Sequence, residues 1–162
     1  MYNYKLNTYL KIVFIISIIS IISAYFIEYV LGHQPCKMCL IERIPYGLSI
    51  FIIILNYIAS KNEKFLILLL VLIFSFSFLI SIYHLGIEQG IFEESRLCVL
   101  KNIDEIITKD EVLEQLNKNY VSCKDVTFRI FGFSLTGINV ILSFFLTILL
   151  SKIFINYDKF KK

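Results

Sequence analysis

Four cysteines stand in the 162-residue sequence, at positions 36, 39, 98 and 123. The first two form Cys36-Lys37-Met38-Cys39, preceded by Pro35 and followed by Glu42 and Arg43. A disulfide across two intervening residues closes a ring too small to restrain an unfolded chain, so this pair is a poor staple and a good redox centre. The thiolate is the reactive form, and a helix N-terminus or a nearby cation favours it. Arg43 lies four residues beyond Cys39, which puts both on one face if the segment is helical. A Cys39 thiolate placed beside that guanidinium would be ionised well below the ordinary cysteine value of about 8.5.

Metal binding is the competing chemistry, because His33-x-x-Cys36-x-x-Cys39 offers three donors. Zinc wants a fourth ligand and usually a second closely spaced pair. Cys98 and Cys123 are separated by 25 positions, so redox chemistry is the favoured reading. Alone, that wide pair reads as structural, since a disulfide closing so large a loop stabilises appreciably. Beside a Cys-x-x-Cys it reads as a second redox couple, able to exchange with the first through mixed disulfides. A tetraspan scaffold with two purely structural disulfides is the third class that fits these cysteines.

The elements that must position these residues are apolar. Hydrophobic residues make up 57% of the chain and charged ones 18%, with a mean hydropathy of +0.75. An ordinary soluble domain has roughly 45–50% and 25%, so a soluble globular domain, a disordered chain and a nucleic-acid binder are set aside. Four runs are candidate spans, about 12–31, 41–59, 65–85 and 130–155. The second is short, reaching the required length of about 20 residues only if it begins near Arg43. Lys5 and Lys11 before an apolar run suggest a secretory signal, but the run exceeds the usual core of about 7–15 residues. The expected fold is an all-α membrane protein, one tetraspan domain over 1–162 with a four-helix bundle and two outer loops, 32–43 and 86–129.

Sidedness follows from the short segments, since Lys and Arg near span ends stay cytoplasmic. With both termini and the 60–64 connection on one side, that side holds eight lysines against Glu63 and Asp158, a net +6, and the other side nets −3. Both termini are expected in the cytoplasm. All four cysteines then fall in the outer loops, where disulfides persist. Within the long loop, Thr108-Lys109-Asp110-Glu111 fits a capping box opening a helix near 109–118. Its apolar face, Val112, Leu113 and Leu116, suits either the bilayer surface or the protein's own loops. Pro45 has no N–H to bond the carbonyl of Ile41, so a helix from Cys39 through span two must kink or begin late.

Taken together, this topology and these cysteines resemble the DsbB family of bacterial quinone-dependent disulfide-bond-formation proteins. Pro35-Cys36-x-x-Cys39-x-x-Glu42-Arg43 is similar to the family's first-loop signature. Tyr83-His84-x-Gly86-x-Glu88 resembles the end of span three in one branch, and Cys123 with Phe128-x-x-Phe131-Gly132-x-Ser134 resembles that branch at the start of span four. The vitamin K epoxide reductase type shares the chemistry but carries its Cys-x-x-Cys on a late span, unlike this chain. The resemblance implies an inner-membrane protein that accepts electrons from a soluble DsbA-type thioredoxin-fold oxidase and passes them to ubiquinone or menaquinone. It implies that Cys98 is attacked by the partner's thiolate and that Cys123 is released to exchange with Cys36. Cys39 is then the quinone-facing sulfur, with Arg43 and His84 beside the quinone.

Overall fold

The computed structural model describes residues 4–58, 63–93, 98, 122–124, 128–130 and 132–157. The segment of the expected 109–118 helix lies outside the described residues. Helix α1 runs Tyr4–Tyr29, a short α2 spans Lys37–Ile41, α3 runs Ile44–Ile58 and α4 runs Glu63–Glu88. Strands β1 (Arg129–Ile130) and β2 (Phe133–Ser134) pair antiparallel about Gly132, and α5 runs Leu135–Ile155. Among the described residues, four helical stretches are long and apolar enough to cross a membrane: Leu6–Tyr29, Lys37–Ile58, Glu63–Glu88 and Leu135–Ile155. Apolar runs of this length become helices because hydrocarbon offers no partner to backbone N–H and C=O groups, which a helix satisfies within itself.

The surface is turned inside out relative to a water-soluble bundle. Ile15, Ile22, Phe51, Phe76, Leu79 and Ile141 face outward, while Ser17, Ser49, Ser77, Ser81 and Ser143 are buried. Small residues let helices approach where lipid supplies no hydrophobic drive between them. The Ser17 and Ser49 hydroxyls meet at 2.8 Å between α1 and α3. Helix α4 lies along α5 over the longest contact, α3 packs on α4, and α1 packs on α3. One apolar cluster, with Val13, Ile53, Phe74 and Leu146 among its members, fills the bundle toward the termini. A second, at the opposite end, consists of Cys36, Met38, Ile87, Cys98 and Cys123.

Helix limits depart most from the apolar runs at the start of α1, within span two and at the start of α5. The first helix starts at Tyr4 rather than near Ile12, because Leu6 and Leu10 extend the buried stripe past Lys11, which is exposed. Span two is interrupted: α2 ends at Ile41 and α3 begins at Ile44, with Pro45 in its first turn, where an N–H would have no intrahelical acceptor. The fourth helix begins at Leu135, five residues late, because residues up to Ser134 form the strand pair and Ser134 caps the helix by accepting the Gly137 N–H at 3.1 Å.

Candidate redox site

Gly32 has a φ of +73°, which turns the chain after α1 and lets the His33 N–H donate to the Ile27 carbonyl at 3.2 Å. The extended segment through Pro35 then delivers Cys36 as the N-cap of α2, its Sγ accepting the Cys39 N–H at 3.2 Å. One helical turn separates the two sulfurs, and they lie 2.8 Å apart. Helix α4 supplies His84, 48 positions further along, with Nε2 3.4 Å from the Cys36 sulfur. Beyond it, Gly86 leaves room for Phe92 to fold back, since a Cβ there would overlap the ring, and Phe92 stacks on Tyr83 at 5.5 Å.

The break between α2 and α3 gives Glu42 its role. Its carboxylate turns inward, is 8% exposed, and accepts His84 Nδ1–H at 2.9 Å on one oxygen and Asn139 Nδ2–H at 3.0 Å on the other. Thr136 Oγ1 lies 3.5 Å from the same His84 nitrogen. From the sequence Glu42 reads as a partner of Arg43 or a solvated group, and it is neither. Arg43 instead reaches across to α1, where it pairs with Glu28 and lies 5.0 Å over the Tyr25 ring. Among the described residues, the His84 side chain bonds Cys36, Glu42 and Thr136.

The described disulfide joins Cys98 to Cys123, with Cα atoms 5.5 Å apart, while Cys36 and Cys39 are free thiols. A cavity of about 340 Å³ opens at this end of the bundle. Cys36, Cys39, Cys123, Arg43 and His84 line it, so five of the six expected side chains share one space and the sixth, Cys98, is tied to it by its disulfide with Cys123. The remaining walls are largely apolar, from Ile19 and Ile27 on α1 and Ile138 and Leu142 on α5.

Contacts that favour a thiolate converge on Cys36 rather than on Cys39. The Cys39 thiol bonds the Cys36 sulfur and does most to bring its pKa down to about 5; His84 adds a hydrogen bond and positive charge, and burial works against them. Arg43, expected from its spacing to be the favouring cation, is committed to Glu28.

His33 does not join the cysteines. It packs on Phe128 at 5.0 Å, and His84 completes the group that His33 was expected to complete. The ligand atoms of Cys36, Cys39 and His84 lie within 4.8 Å of one another. Two thiolates on a tetrahedral zinc, with Zn–S near 2.3 Å, sit about 3.8 Å apart. At 2.8 Å these sulfurs are instead spaced for disulfide exchange.

Sequence reasoning missed Asn139, Tyr46, Ser81 and Thr136. The signal available was a lone Asn inside an otherwise apolar fourth span, since a polar side chain there is expensive unless it is used.

The chain matches the family model described as disulfide bond formation protein DsbB over residues 7–153. It is similar to the uncharacterized protein RP370 of Rickettsia prowazekii, 30% identical over 140 residues that cover 85% of this chain and 81% of that protein. Disulfide bond formation protein B of Mannheimia succiniciproducens is 26% identical over 154 residues, covering 93% and 86%. Its counterpart in Histophilus somni is 24% identical with the same coverage. No solved structure matches the chain.

Proposed function

Since the chain belongs to the DsbB family of disulfide bond formation proteins and is a multi-pass membrane protein, we propose that it reoxidises a soluble DsbA-type thiol oxidase and passes the electrons to a membrane quinone, ubiquinone or menaquinone. The observation that carries this reading is the convergence of both cysteine pairs on one cavity at one end of the bundle. The charge asymmetry supports an inner-membrane orientation with both termini cytoplasmic and the cysteines periplasmic.

In the first exchange the partner's thiolate attacks Cys98, the Cys98–Cys123 bond breaks, and the partner's second thiol closes its own disulfide. Two electrons and two protons thereby reach Cys98 and Cys123. Cys123 then attacks Cys36 of the Cys36–Cys39 disulfide, and Cys98 displaces it, restoring Cys98–Cys123 and leaving Cys36 and Cys39 as thiols. A quinone, when bound, supplies an acceptor for two electrons and two protons, and the Cys36–Cys39 disulfide closes as they leave.

The residues present suit a quinone head group. The cavity falls in the range of small-molecule sites, about 300–1,000 Å³, and combines apolar walls with a few polar groups at one end. Arg43 lines the cavity and would donate to a quinone carbonyl, Cys39 would be the quinone-facing sulfur, His84 borders the same space while bonded to Cys36 and Glu42, and Ile27 and Leu142 exclude water. His84 Nε2 is within reach to hold the proton of the Cys36 thiol.

The test mixes the purified protein with a reduced DsbA-type oxidase and a soluble quinone analogue and follows quinone absorbance. Quinone should be consumed with one partner disulfide formed per quinone, and no consumption would overturn the reading. Cys98→Ser should abolish oxidation of the partner while a small dithiol still drives quinone reduction through Cys36 and Cys39. Partner oxidation at the parent rate in that variant would remove Cys98 from its role.

A further inference from the structure

Asn139 sits on α5 where three other parts of the bundle meet. Its amide nitrogen donates to Glu42 Oε2 at 3.0 Å and to Ser81 Oγ at 2.7 Å, and its amide oxygen accepts from the Tyr46 hydroxyl. The orientation is forced, because a carboxylate only accepts, so the NH₂ group must face Glu42 and the oxygen must face Tyr46. Ser81 can accept because its own hydroxyl donates to the Ser77 carbonyl at 2.9 Å. Both N–H bonds and the carbonyl of the amide are therefore used, in surroundings where an unmet polar group is costly. The same carboxylate that Asn139 holds by one oxygen accepts His84 Nδ1–H on the other.

We propose that Asn139 is a positioning residue of the redox site, clamping Glu42 so that Glu42 holds the His84 ring with Nε2 turned to the Cys36 sulfur. Its role in turnover rests on the thiol:quinone reading given above, while the clamp itself is a property of the folded chain. Asn139→Leu leaves Glu42 Oε2 without this donor in an apolar setting. The carboxylate then turns toward the cavity, and the His84 ring loses the bond that holds Nε2 toward the Cys36 sulfur.

The chain has two histidines, so ¹⁵N-histidine labelling gives a readable spectrum, with His33 as internal reference and His84→Gln for assignment. The measurement uses the reduced full-length protein in detergent, without quinone or partner. In the parent, the His84 Nδ1 proton should be bonded and slow to exchange. Asn139→Leu should speed that exchange by about tenfold, the scale of losing a hydrogen bond to a charged group, and leave His33 unchanged. Tyr46→Phe, which removes only the donor to the amide oxygen, should move the same signal in the same direction by less, and it decides the matter if the Leu variant does not fold. An unmoved His84 signal in a folded Asn139→Leu, or in Tyr46→Phe where the Leu variant is unfolded, overturns the clamp. A parent that consumes no quinone overturns the redox reading and leaves the clamp standing. With both intact, Asn139→Leu should lower kcat for quinone reduction about tenfold with little change in KM for the thiol partner.

Discussion

Cys36 is a residue whose chemistry is strongly altered by its surroundings. Its thiol is held to about 5 chiefly by the Cys39 bond and then by His84, so the thiolate is present above that pH and is lost as pH falls through it. Alkylation of Cys36 in the reduced protein should therefore be nearly flat between about pH 8 and pH 6 and drop about tenfold per unit below about pH 5. A Cys39→Ser variant, in which the main donor is replaced, should show the drop at higher pH; an unchanged profile would assign the shift to His84 alone. Arg43 makes a different prediction. Its guanidinium is anchored by Glu28 and Tyr25, so Glu28→Gln keeps the charge in the cavity but loosens its placement. The KM for a soluble quinone should rise about three- to tenfold with kcat within about twofold, the pattern of lost uniform binding. A kcat that falls instead, at constant KM, would mean Glu28 serves the chemical step.

Among the elements, the interruption between α2 and α3 matters most. A continuous helix from Cys39 onward would carry Glu42 and Arg43 round by about 100° per residue on the same cylinder. The turn at 42–43 sends Glu42 toward α4 and α5 and Arg43 toward α1. Pro45 made such a break legible in advance, though the direction of each side chain after it was not. Helices α3 and α4 are held in register by Phe74, which is fully buried and meets the Tyr46 ring edge-on at 5.6 Å. Phe74→Ala should cost about 3–5 kcal/mol, read by denaturant unfolding in detergent. It should also speed exchange at His84 Nδ1, because Tyr46 is the donor to Asn139. A loss below about 1 kcal/mol would mean the neighbouring helices close over the gap.

For the whole molecule, outward Ile and Phe and inward Ser state the solvent, and lysine placement is the basis of the proposed orientation. A membrane-impermeant maleimide applied to intact spheroplasts after reduction should label the native cysteines and spare a Cys placed at Ser60. Labelling at Ser60 with the native cysteines protected would invert the orientation and put the redox pairs in the reducing cytoplasm. The bundle keeps the two cysteine pairs at one end and a largely aliphatic cluster toward the other. A loop disulfide and a cavity bordered by α1 and α5 are thereby brought together at a single end, as the proposed exchange with a soluble thiol partner and a membrane quinone requires.

Span number, the cysteine pairs and the break near Pro45 were legible in the chain alone, because hydropathy and short spacings are properties of contiguous segments. Which histidine meets Cys36, which acid meets Arg43 and what holds Glu42 were decided only by the tertiary structure. Those contacts join residues 15 to 97 positions apart, and each depends on how α1, α4 and α5 are rotated about their axes. Helices that are apolar on every side carry little periodic signal for that rotation. It is set by packing and by buried hydrogen bonds, of which Asn139 supplies two and accepts a third.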